Sequence, residues 1–61
     1  MTHFIEIQDI RGSLFMVNVQ HIIQVSKGKE FTAIFFLENG GNSTIKAKIK
    51  YESLKKILVH T

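Results

Sequence analysis

The chain has 61 residues, no cysteine, no proline and a formal net charge of +3. A chain this short buries only about 60% of its unfolded surface, so one marginal domain over residues 1–61 is expected. Without cysteine there is no disulfide or thiolate–zinc staple, and His3, His21 and His60 stand too far apart to read as a metal site, so no metal or cofactor is expected and oligomerisation is the stabilising device left.

Residues 3–8, HFIEIQ, alternate with Ile5 and Ile7 on one face and Phe4, Glu6 and Gln8 on the other, as a half-buried strand does. DIRGS at 9–13 is rich in turn formers and closes a hairpin onto a second strand, residues 14–17.

The following stretch, FMVNVQHIIQV, places Phe15, Val17, Val19, His21, Ile23 and Val25 on one side of a period-two pattern. Read as a single strand, residues 14–26 would extend roughly 40 Å at ~3.3 Å per residue. A compact domain of this length has a radius of gyration of roughly 10.5 Å and is only about 27 Å across. The strand must therefore break. Asn18 is the natural point, because its side chain bonds nearby backbone and tolerates turns. A tight or helical turn over residues 18–21 is expected, with a third strand at 22–26. That makes His21 a turn residue.

SKGKE at 26–30 reads as a hairpin loop. Residues 31–38 form a strand with Phe31, Ala33, Phe35 and Leu37 on one face and Thr32, Ile34, Phe36 and Glu38 on the other. Both faces are largely apolar, so this strand belongs in the middle of the sheet. NGGN at 39–42 is a strong turn signal. It precedes a fifth strand at 43–49, with Ile45, Ala47 and Ile49 inward and Thr44, Lys46 and Lys48 outward.

In KYESLKKILVHT the period changes. Tyr51, Leu54, Ile57 and Leu58 fall at helical spacing, with Glu52 early and Lys55, Lys56 and His60 late, as the helix dipole favours. A helix over about residues 50–59 should lay Leu54, Ile57 and Leu58 on the sheet, and Glu52 stands three and four residues before Lys55 and Lys56. The fold class is α+β, mainly β: about five short antiparallel strands, in a meander or a small barrel-like sheet, closed by one C-terminal amphipathic helix.

The residues offer no recognisable catalytic set. The serines fall in turns, loops or the helix start, none in a nucleophile elbow, and the acids are scattered. So small a domain also leaves little room for a pocket of ~300 Å³ within one chain. The expected function is therefore non-enzymatic: a homo-oligomeric binding or regulatory module acting on a protein partner, with Phe4, Ile34 and Phe36, read as lying opposite the main core, at its interface.

From Ser43 onward five lysines face one acid, Glu52. Such lysines keep sheet edges soluble, and they also suit anionic ligands. The alternative reading is sequestration of an anionic, nucleotide-like molecule in a basic pocket between subunits, lined by Arg11, His21, Lys46, Lys48 and Lys50. A third is nucleic-acid binding along the lysine-rich strand, which is less expected because no zinc finger, helix-turn-helix or RNP-type motif is present. No apolar run approaches the ~20 residues of a membrane span, and the start of the chain has no signal-peptide pattern, so a cytoplasmic location without membrane insertion is expected.

The order I-x-I-x-D-x-x-G-S-x-F-x-V-N-x-x-H-I, then T-x-I-x-x-L-x-N-G, then I-K-A-K-x-K-Y-E-S-L resembles the small flagellar and swarming-motility protein family of bacteria. The resemblance runs from Ile5 to Leu58 and is carried by Gly12, Phe15, Val17, Asn18, Ile22, Thr32, Ile34, Leu37, Asn39, Gly40 and Ser53. It implies a non-enzymatic accessory with no catalytic residues. The chain departs from that pattern at Val19–Gln20, where the family usually has a proline, and at the entry to the helix. A weaker resemblance, over Ile22–Leu58, is to part of a LytTR-type DNA-binding domain, a considerably longer unit.

Overall fold

A computed structural model describes residues 3–59. The DIRGS segment turns the chain back because Asp9 organises it. The Asp9 carboxylate accepts from the backbone N–H groups of Arg11 (3.0 Å) and Ser13 (2.8 Å), and the Asp9 N–H donates to the Ser13 carbonyl (2.9 Å). Strands β1 (Phe4–Gln8) and β2 (Leu14–Asn18) pair antiparallel on either side of it, with Ile5 opposite Val17 and Ile7 opposite Phe15.

The long period-two run does break at Asn18. The Asn18 side chain accepts from the Gln20 N–H at 3.0 Å and caps a 3₁₀ turn, Val19–His21. Strand β3 (Ile22–Lys27) follows. The molecule measures 30 × 26 × 18 Å, with a Cα radius of gyration of 10.9 Å, too small to house one strand through the whole segment. Asn18→Ala removes the acceptor and should cost about 1 kcal/mol, lowering the melting temperature by roughly 4–8 °C in a domain of this size. Asn18→Asp keeps the acceptor and should melt close to the parent in the same calorimetric scan.

Strand β3 departs from simple alternation. Ile22 stands opposite Phe36 and Gln24 opposite Phe35, so Ile23 is the extra residue of a β-bulge. The bulge reverses the parity that grouped Ile23 with Val25. Ile22 and Val25 pack on the core, while Ile23 is 53% exposed. At the next loop the Gly28 N–H donates to the Phe31 carbonyl (2.9 Å), and a Cβ on Gly28 would lie 2.7 Å from that oxygen, so the close approach requires glycine.

β4 (Thr32–Glu38) is the middle strand of a three-stranded antiparallel sheet, ordered β3-β4-β5, as its apolar faces suggested. The turn before β5 (Gly41–Ala47) is tighter than the NGGN signal implied. Glu38 pairs with Gly41, leaving only Asn39 and Gly40 in the loop, with Gly40 at φ +80°. Gly41 and Asn42 thus belong to β5. The strand ends at Ala47, which is bridged to Asp9. Lys48 N–H donates to the Gln8 carbonyl and Ile10 N–H to the Lys46 carbonyl, both at 2.9 Å, tying the tip of the β1–β2 hairpin to the edge of β5.

The core lies between the two sheets and comprises Ile7, Val17, Ile34, Ile45, Ala47 and Leu54. This corrects the face assigned to β4. Thr32, Ile34 and Phe36 point into the core: Ile34 is 0% exposed, directly opposite Val25 and Ile45, and Phe36 packs against the same cluster. The hydroxyl of buried Thr32 donates to the Ile49 carbonyl at 2.6 Å, which satisfies it inside an apolar layer.

Helix α1 (Tyr51–Val59) closes the domain. Leu54 is fully buried and Leu58 packs on the core, whereas Ile57 is 39% exposed and lies outside the core cluster. Glu52 pairs with neither helix lysine. Its partner is Lys27 at the end of β3, at 3.1 Å. His60, read as part of the helix end, lies outside the described residues.

Candidate functional site

The structure separates the five residues grouped as an anion site. Arg11, at the hairpin tip, and Lys46, on β5, flank a groove of ≈ 250 Å³. Lys48 and Lys50 line a different cleft of ≈ 320 Å³, with Lys27, Lys29, Phe31 and Tyr51. His21 lines a third, of ≈ 460 Å³. Clefts of this size on a single chain correct the expectation that so small a domain would have no such concavity. Lys46 extends its ammonium over the Phe31 ring, 5.4 Å from the centroid, a cation–π contact on the face of the sheet turned away from the core.

The cleft beside His21 is mainly apolar and lies between the hairpin and the β4–β5 end, lined by Phe4, Phe15, Met16, His21, Phe36 and Leu37 among others. Glu38 and Ser43 stand on its rim, and the Ser43 hydroxyl donates to the Glu38 carboxylate. His21 does not complete a relay there. Its ring nitrogen meets the Asn18 amide at 3.5 Å, and activation of a serine needs the base bonded to the hydroxyl itself. Among the described residues no group of three or more His, Asp or Glu side chains could hold a metal ion. No helix among them is long and apolar enough to cross a membrane.

Of the three residues assigned to an interface, Ile34 is fully buried and Phe36 packs on the core while lining the apolar cleft. Both face the core for the reason given above, leaving Phe4, which is 50% exposed. Phe4 shares the outward face of the hairpin with Leu14 (62%) and Met16 (63%). They are interleaved there with Asn18 opposite Phe4, Glu6 opposite Met16 and Gln8 opposite Leu14, and the period-two placement of Leu14 and Met16 away from Val17 already contains them.

The sheet edges differ in how they are guarded. The free edge of β3 carries a bulge and ends in Lys27, both devices that discourage strand addition. The edge of β5 is partly occupied by the hairpin tip and flanked by lysines. Strand β2 pairs with β1 on one side only. Its sequence, LFMVN, has no charge, no proline and no bulge in its pairing, and both of its faces are apolar.

At the opposite end, the hydrogen bond from the Lys27 ammonium, the backbone N–H of Glu52 itself and the charge of Lys27 together hold the Glu52 carboxyl below its ordinary range. The pair forms above that range and is lost as the pH falls through it. Both side chains are mostly exposed, so the bridge fastens α1 to β3 without contributing much to stability. No protein-family model, curated protein or solved structure matches the chain.

Proposed function

We propose that the protein is a non-enzymatic interaction module that self-associates through the open edge of β2. The observation that carries this reading is the contrast between edges: β3 and β5 are guarded, and β2 is bare, uncharged and apolar on both faces. A second copy of β2 supplies the natural complement. Antiparallel pairing about a two-fold axis at Met16 places Leu14 opposite Asn18 and Phe15 opposite Val17 of the other copy, joining two hairpins into one four-stranded sheet.

The resemblance to small flagellar and swarming-motility proteins points to the same class, an accessory that acts by contact.

Light scattering after gel filtration tests the proposal. The expected mass is twice 7.0 kDa, falling towards one chain on dilution. A mass of 7.0 kDa at every concentration would overturn it.

A further inference from the structure

We infer that the outward face of the β3–β4–β5 sheet, continued by the lysine-rimmed cleft beside it, binds single-stranded nucleic acid. This surface is distinct from the β2 edge, and the inference does not depend on self-association.

Ala33, Phe35 and Leu37 lie in file along the middle strand, on the face opposite Ile34 and the core, and Phe31 stands at the bend just before it, under the Lys46 ammonium. None of the four belongs to the core cluster or packs against it; Phe31 and Phe35 are half-buried, each leaving part of its ring to solvent, and Leu37 is exposed. The polar side chains flanking them are uncharged: Gln24 and Ser26 on β3, Asn42 and Thr44 on β5. The one charge within the strands on this face is Lys46, whose ammonium lies over Phe31. Phe31 and Phe35 are four residues apart, about 14 Å along the strand, so each ring can receive its own base. Aromatic rings on an open sheet, bordered by amide and hydroxyl groups and free of carboxylates, provide what unstacked bases require: stacking partners and neutral hydrogen-bonding groups.

The charge distribution selects a polyanion as the occupant. Phe31 also lines the adjoining cleft, where Lys27, Lys29, Lys48 and Lys50 gather with Glu30 and Glu52. With Lys46 this region holds five lysines against two glutamates, a surplus of +3, which is the net charge of the whole chain. Elsewhere Arg11, Lys55 and Lys56 balance Glu6, Asp9 and Glu38. The entire surplus therefore sits at one end of the aromatic file, where a phosphodiester backbone leaving the sheet would meet it. A duplex keeps its base faces stacked away from such a platform, so a single strand is the matching ligand.

Fluorescence anisotropy with a labelled oligothymidylate of about ten nucleotides tests this. Micromolar binding is expected, weakening roughly 20-fold between about 50 and 200 mM salt if three phosphates are neutralised. Phe35→Ala should weaken it at least 5-fold through lost stacking. Lys46→Gln with Lys48→Gln, both exposed and away from the core, should weaken it and lower the salt slope by roughly one. Lys55→Gln with Lys56→Gln, on α1 outside the surface, should leave it within about 2-fold, since their helix-face charges lie beyond the platform. No binding up to about 100 μM at low salt, below even ordinary non-specific affinity, would overturn the inference. Equal affinity for the duplex or for thymidine monophosphate would do so too, as would equal losses from the Lys55–Lys56 and Lys46–Lys48 pairs.

Discussion

A Met16→Glu variant should run at the mass of one chain, 7.0 kDa, under conditions where the parent runs at twice that. Met16 lies at the centre of β2, so a two-fold axis through that strand brings the residue opposite itself. Directly paired positions on antiparallel strands place their Cβ atoms ≈ 5 Å apart. Two glutamates there, free to splay into solvent, repel by between about 1 kcal/mol in water-like surroundings and about 3 kcal/mol at an effective dielectric constant of 20, a loss of roughly five-fold to a hundred-fold in affinity at ~1.4 kcal/mol per decade. The fold should survive at some cost to the hairpin: Met16 is 63% exposed, so the glutamate reaches solvent in the separated chain, but it also stands directly opposite Glu6 on β1. An unchanged circular dichroism spectrum would verify that. Ile23→Glu is the matched control, placing the same charge on the bulged, exposed edge of β3. It should leave the dimer intact. If Met16→Glu stays dimeric while Ile23→Glu does not, the association runs through β3 and the assignment to β2 fails.

The elements were legible in the sequence wherever a local rule sufficed. Asp9 to Ser13 had to turn because their composition favours it, and the break followed from length, with Asn18 marked as its place by its turn chemistry. The faces of the strands depended on partners. β4 is apolar on both sides, so its own alternation carries no sign, and reading it in isolation put Ile34 and Phe36 outside. The sign was available from β5. A loop of either two or four residues between β4 and β5 sets even-numbered residues of β4 opposite odd-numbered residues of β5. The alternation of β5 puts Ile45 and Ala47 inward, which requires Ile34 and Thr32 to be inward with them, as they are. The bulge at Ile23 had no such signal. Its parity reversal comes from how β3 must bend to leave the 3₁₀ turn and still pair with β4. The candidate surfaces were less legible because they gather distant segments. Lys27 and Lys29 join Lys48 and Lys50 only because the β3–β4 loop lies beside the start of α1.

Ile34→Ala should unfold much of the population at room temperature. Removing the outer atoms of a fully buried isoleucine costs about 2–5 kcal/mol, the spread reflecting how far the surroundings collapse into the space. Collapse is limited here. Ile34 sits on the central strand between Val25 and Ile45, with two hydrogen-bonded neighbours fixing its backbone. A 61-residue domain has a total stability of roughly 3–9 kcal/mol at 0.05–0.15 kcal/mol per residue, so the loss takes a large share of the whole. With an m-value of about 1 kcal/mol/M, the urea midpoint should fall by about 2 M or more. Phe35→Ala removes a larger side chain one residue along, yet its ring lies on the outward face, outside the core cluster. Its midpoint should move by no more than about 1 M, as expected for a side chain that fills no core space. The comparison separates the two faces of β4 directly. Were Ile34 an interface residue, its alanine variant would dissociate but remain folded. Because it closes the core over Leu54, α1 should melt with the sheet in a single transition, since nine helical residues do not hold their structure without packing.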